Sequence, residues 1–152
     1  MKQFGVLTKA LNNSQAGMML THNLNQIVTK CNYIDPIVFY REYYAHLITP
    51  MFAMMQDVEA WSFPHPVIAT NFENALQLID QPLPTKKFFY VMDLEWLYMS
   101  DSNYDVLKQV YTHKDIHLIA RSDNHARILK SCWKEPVATI ENFDYREVIK
   151  LL

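Results

Sequence analysis

The chain has 152 residues, half of them hydrophobic, which suits one globular domain with a buried core rather than a disordered segment. A formal net charge of -2 provides no overall field for nucleic acid or an anionic membrane, so neither is expected as a partner. Cys31 and Cys132 fit no disulfide framework or metal spacing, Met1-Lys2-Gln3-Phe4 does not open a signal peptide, and no apolar run approaches membrane-spanning length; a cytoplasmic chain is expected.

The predicted elements follow in order. Phe4 to Leu7 reads as a first strand, and Ser14 caps a helix carrying Met18, Leu20, Leu24, Ile27 and Val28 at roughly helical spacing. Ile37 to Tyr40 is a second strand, begun after Pro36 because proline cannot sit inside a sheet. Tyr43 to Phe63, rich in methionine and aromatics and divided by Pro50, has no clear place. Val67 to Ala69 is a short strand. Asn71 then caps a helix bearing Phe72, Ala75, Leu76 and Ile79, which Pro82 and Pro84 end.

Phe88 to Met92 is the next strand, Tyr104 to Tyr111 the next helix, and Ile116 to Ala120 a further strand. Ser122 caps a helix through Cys132, Val137 to Ile140 is the last clear strand, and a short helix starts near Tyr145. Short apolar strands each followed by a helix mean right-handed βαβ units. The expected fold is therefore α/β: a single Rossmann-like domain over residues 1–152, with a doubly wound, mainly parallel sheet and helices on both faces. Ligands of such sheets sit beyond the carboxyl ends of the strands. Thr8 to Ala16, Thr70 and Asn71, Asp93 to Trp96, Arg121 to Asn124, and Glu141 to Phe143 should gather there.

The missing motifs narrow the chemistry. With only Gly5 and Gly17 in the chain, neither G-x-G-x-x-G nor a Walker A loop is possible, so no NAD, FAD or ATP cofactor is expected. No G-x-S-x-G elbow is present. His113 and His117 straddle a helix end and a strand start and read as surface residues, so no metal site is expected.

"HLIARSDNHARILKSCWKEPVATIENFD" places a strand ending in Ala120, a polar Arg121-Ser122-Asp123 turn, a helix, and a strand closing in Ile140-Glu141-Asn142-Phe143. This resembles the last βαβ unit in the amino-terminal, acceptor-side domain of GT-B glycosyltransferases. "VIATNFENALQLI" and "KKFFYVMDLEWL" are similar to the preceding units, where a threonine and then an aromatic-acidic turn close successive strands. The chain departs from the family in the loop "TKALNNSQAG", whose only glycine comes late, and it stops where the donor-binding domain would begin. The resemblance implies the acceptor-side half of a split or degenerate glycosyltransferase, inactive as an isolated chain. It would work with a donor-domain protein and take a sugar or glycan acceptor. The alternative is a non-catalytic binding or scaffold domain that self-associates through its apolar surface.

Each candidate residue has two readings. Asp93 is the candidate catalytic base for an acceptor hydroxyl, or else a residue that turns the chain after its strand. Glu95 is a candidate contact expected to point further out as a solvated loop residue. Trp96 and Tyr98 could stack on a sugar ring or belong to core or interface. Arg121 could clamp a phosphate or carboxylate, or form a surface ion pair. Ser122 reads as a helix cap. Asn12, Asn13, Ser14, Asn71 and Asn142 complete the candidate binding set by their places in loops at the carboxyl edge.

Overall fold

The computed structural model describes residues 2–45 and 47–152, so Met1 of the amino-terminal reading lies outside it. Seven strands form one sheet: β1 (Lys2–Leu11), β2 (Ile34–Tyr43), β3 (Ala53–Gln56), β4 (Val67–Ala69), β5 (Lys87–Val91), β6 (Ile116–Ala120) and β7 (Ala138–Thr139). Their spatial order is β3-β2-β1-β4-β5-β6-β7, and every adjacent pair is parallel. Parallel neighbours need crossovers; α1 (Gln15–Lys30), α2 (Phe72–Asp80), α3 (Tyr104–Thr112) and α4 (Asp123–Cys132) supply those from β1 to β2, β4 to β5, β5 to β6 and β6 to β7, and α5 (Tyr145–Leu151) follows β7.

The period-two alternation of the strands sorts side chains into two cores. Phe88 and Tyr90 of β5 join Phe4, Val6 and Ile119 under Leu20, Leu24 and Ile27 of α1 and Val148 of α5. Phe89 and Val91 join Leu7, Leu118 and Ala120 on the other face, under Phe72, Ala75 and Leu78 of α2, Leu107, Val110 and Tyr111 of α3, and Leu129 of α4. Helices thus cover both faces, as the sequence predicted.

Three local readings change. Pro36 lies inside β2, opposite Phe4 of β1. β3 pairs with β2 only from Ile37 onward, so at Pro36 the strand is still an edge, where a missing N–H is tolerated. The unplaced stretch after Tyr43 supplies edge strand β3 and a 3₁₀ turn, Asp57–Ser62, whose Ala60 is buried. β1 runs on to Leu11, so half of the supposed ligand loop after it is strand.

Both glycines are required by packing. A Cβ on Gly5 would stand 2.8 Å from the Phe39 ring, and one on Gly17 only 2.3 Å from the Asn12 carbonyl oxygen.

Candidate functional site

Strand order reverses between β1 and β4, and two hollows open near that point beyond the carboxyl ends of the strands; a third, shallower one of about 490 Å³ shares Glu141 and Asn142 beyond the end of β7. The first, about 220 Å³, lies between the ends of β1 and β4, lined by Thr8, Asn12, Ser14, Gly17, Thr70 and Asn71 among others. Its polar groups are occupied in holding turns. Asn12 Oδ1 accepts from Ser14 N–H at 3.0 Å, and Ser14 Oγ caps α1 by accepting from Gly17 N–H at 3.1 Å. Asn71 Oδ1 caps α2 through Asn74 N–H at 2.9 Å, and Thr70 Oγ1 donates to the Leu7 carbonyl. Asn13 lies outside both hollows, where Nδ2 donates to the Ala45 carbonyl and Oδ1 accepts from Leu47 N–H, each at 2.8 Å.

The second hollow, about 350 Å³, lies over the ends of β5, β6 and β7, against the first turn of α1. Here the polar side chains are largely unspent. Arg121 donates from Nη1 to the Met92 carbonyl at 2.8 Å and, among the described residues, forms no ion pair, against the surface-pair reading. Gln15, Glu141 and Asn142 contribute side chains with no hydrogen bond among the described residues. Met19, Met92 and Tyr90 supply apolar surface. Ser122 lines the hollow and caps α4, accepting from His125 N–H at 3.2 Å as its sequence position predicted.

That cap sets His125 in the first turn of α4, facing this hollow. Burial, and then the positive charge of Arg121, push its pKa below 6.5, while the Val91 carbonyl and Asp93 pull it back up. The imidazole is therefore neutral at pH 7, with one nitrogen able to donate and one to accept. Its Nδ1 is buried and unpaired among the described residues, so the Val91 carbonyl is near the ring without making a good hydrogen bond.

Tyr90 anchors the far wall. Its hydroxyl donates to the Ile140 carbonyl at 2.7 Å and accepts from Phe143 N–H at 3.1 Å, binding the turn after β7 to β5. Burial raises its pKa, so it remains a neutral donor and acceptor. Neither Tyr90 nor His125 stood out in the sequence.

The aromatic-acidic turn after β5 fits the turn reading of Asp93 and departs from the reading of Glu95. Asp93 is exposed, does not line either hollow, and turns its Oδ1 to Leu94 N–H at 2.8 Å. The carboxylate that goes inward is Glu95, which was expected to point out. It is half-buried, and its Oε1 accepts from Phe72 N–H at 2.9 Å, at the first turn of α2. The reason is the 3₁₀ turn Glu95–Tyr98, which swings Glu95 back over the helix start. Trp96 also turns inward, edge-on to Tyr111 at 4.9 Å and to Trp133 at 5.9 Å, while Tyr98 stays exposed. Of the predicted set, Arg121, Ser122 and Asn142 meet at the larger hollow; Asn12, Ser14 and Asn71 meet at the smaller; Asn13, Asp93, Glu95 and Trp96 belong to neither.

Burial raises the Glu95 pKa above 4.5, with Asp93 and Glu73 adding repulsion against the pull of the Phe72 N–H. A folded-state pKa above the unfolded one gives stability that is full below the unfolded pKa and is lost as pH rises through the folded value. Glu95→Gln keeps the oxygen that accepts from Phe72 and removes the buried charge. We expect the variant to be more stable than the parent at pH 7, with the gain fading towards about pH 4, in denaturant unfolding at both pH values. A variant less stable at pH 7 would show that the charge itself is needed at the helix start.

Among the described residues, no helix is long and apolar enough to cross a membrane. Comparison of the chain with protein-family models, with curated proteins and with solved structures finds no match.

Proposed function

We propose that this domain is the acceptor-side half of a GT-B-like glycosyltransferase, split or degenerate, and that it holds a sugar or glycan acceptor in the larger hollow at the carboxyl edge. One observation carries the reading. In the smaller hollow every hydrogen-bonding side chain holds a turn, a backbone group or an ion pair through at least one atom, whereas Gln15, Glu141 and Asn142, with no side-chain hydrogen bond among the described residues, converge with Arg121 and His125 on the larger one. Amides, a guanidinium, a carboxylate and a neutral imidazole offer donors and acceptors together, and a polyol demands both at each hydroxyl. Met19, Met92 and the Tyr90 ring give the apolar surface against which the C–H face of a sugar can lie. Activity then requires a donor-binding domain facing this edge. Asp93 stands beside the mouth, close enough for its charge to raise the His125 pKa, and serves as base only if the acceptor reaches its exposed oxygen.

A second reading, a non-catalytic scaffold domain that self-associates, draws on β3. This edge strand is exposed along all four residues, has no lysine or proline, and is followed by exposed Val58 and Trp61. Glycan-array binding and light scattering separate the two. The acceptor reading expects a restricted set of glycans to bind and Arg121→Ala to lose them. No glycan bound, together with a dimeric mass at tens of micromolar, would favour the scaffold reading.

A further inference from the structure

Glu141 to Phe143, between β7 and α5, carries a backbone conformation that L-residues avoid. Asn142 has φ 51° and ψ 27°, and Phe143 has φ 54°; among the described residues they are the only ones outside glycine with positive φ. Asparagine tolerates the left-handed region, but a phenylalanine there is a clear outlier. Such residues persist only where surrounding contacts over-determine them, and they cluster where a side chain must be presented to a ligand.

Three contacts hold this turn. The Tyr90 hydroxyl bridges its two ends, donating to Ile140 and accepting from Phe143. The Phe143 ring, fully buried, packs edge-on against the Tyr90 ring at 5.1 Å. From α1, Asn23 Nδ2 donates to the Asn142 carbonyl at 2.9 Å. The result brings Asn142 to the wall of the larger hollow with its amide unused. An extended or right-handed Asn142 would send the chain another way and remove that side chain from the wall. Tyr90 itself has no hydroxyl capacity to spare for a ligand beyond one lone pair, since its proton and one acceptor position go to the turn.

We infer that Tyr90 is a positioning residue for the larger hollow: its buried hydroxyl locks Asn142 and Phe143 in the left-handed region so that the Asn142 amide meets the ligand. This rests on the reading of that hollow as the sugar site. The strain is then kept for binding, and the fold does not need asparagine at 142.

The test titrates methyl glucoside, methyl galactoside and methyl mannoside into the ¹⁵N-labelled chain and its Tyr90→Phe, Asn142→Gly and double variants, with Tm measured for each. Glycine occupies the left-handed region without penalty, so Asn142→Gly should melt no lower than the parent. It should nevertheless bind the sugar about tenfold or more weakly. Tyr90→Phe should weaken binding comparably, and the double variant should bind no more weakly than Asn142→Gly alone, because Tyr90 acts through that amide. Parental affinity in Asn142→Gly would overturn the inference. So would a further loss on adding Tyr90→Phe, or a lowered Tm in Asn142→Gly, which would assign the strain to the fold. If the parent chain binds none of the three sugars, the sugar-site reading fails and takes this inference with it.

Discussion

Gly17→Ala should destabilise the protein by about 2–3 kcal/mol, although alanine is the better helix former by about 1 kcal/mol. Gly17 sits in the first turn of α1, where its N–H donates to the Ser14 cap. A Cβ there would stand 2.3 Å from the Asn12 carbonyl oxygen and 2.9 Å from Asn12 Oδ1. The nearer atom is backbone, pinned because Asn12 Oδ1 also accepts from Ser14 N–H and so closes the turn. Relief requires shifting α1 off the end of β1, which loosens the packing of Leu20 and Leu24 on the sheet. For a domain of this size the loss corresponds to roughly 5–10 °C in Tm. A thermal melt at or above that of the parent would mean that the turn yields and that helix propensity decides the outcome.

Tyr111 offers the second large effect, and a contrast. It is fully buried on α3 and touches the rings of Phe72, Phe89, Trp96 and Trp133. Tyr111→Ala should cost about 3–5 kcal/mol, the range for deleting a large buried ring whose cavity cannot fully collapse. The hydroxyl, however, is buried with no hydrogen-bond partner among the described residues, and burial with the nearby charges of Glu95 and Asp93 pushes its pKa far up. Tyr111→Phe removes that unsatisfied group and keeps the ring, so it should be neutral or stabilising by up to about 1 kcal/mol. Urea unfolding of both variants checks the pair. A Tyr111→Phe loss of similar size to a broken buried hydrogen bond would reveal a partner for the hydroxyl in solution.

The sheet was legible because its signal is local. Runs such as Phe88–Met92 and Ile116–Ala120 have too few polar residues for a solvated face, and the caps Ser14, Asn71 and Ser122 lie one residue before helices that begin as expected. β3 was illegible because Ala53-Met54-Met55-Gln56 has neither β-branched residues nor alternation; it is a strand only because β2 templates it. The site divided along the same line. Residues marked by the end of an element, Arg121, Ser122 and Asn142, line the larger hollow. Tyr90 was hidden as one more apolar residue in a buried strand, since the use of its hydroxyl depends on a turn fifty residues away. His125 carried a usable signal, three residues after a cap at the carboxyl edge. Glu95 turned inward against expectation, while Asp93 kept its turn reading, because a 3₁₀ turn, unlike a helix or strand, has no period that fixes which side chain turns inward.

The claim that matters most is where a ligand binds. Chemical-shift mapping of the ¹⁵N-labelled parent chain with the neutral methyl hexopyranosides tests it directly. The account predicts shifts gathered on the amides of Gln15, Ala16, Met92, Ser122, His125 and Asn142, with those of Asn12 and Asn71 in the smaller hollow and Met54 and Met55 on β3 left in place. Shifts centred on β3 or on the smaller hollow, or no shift at all, would contradict it.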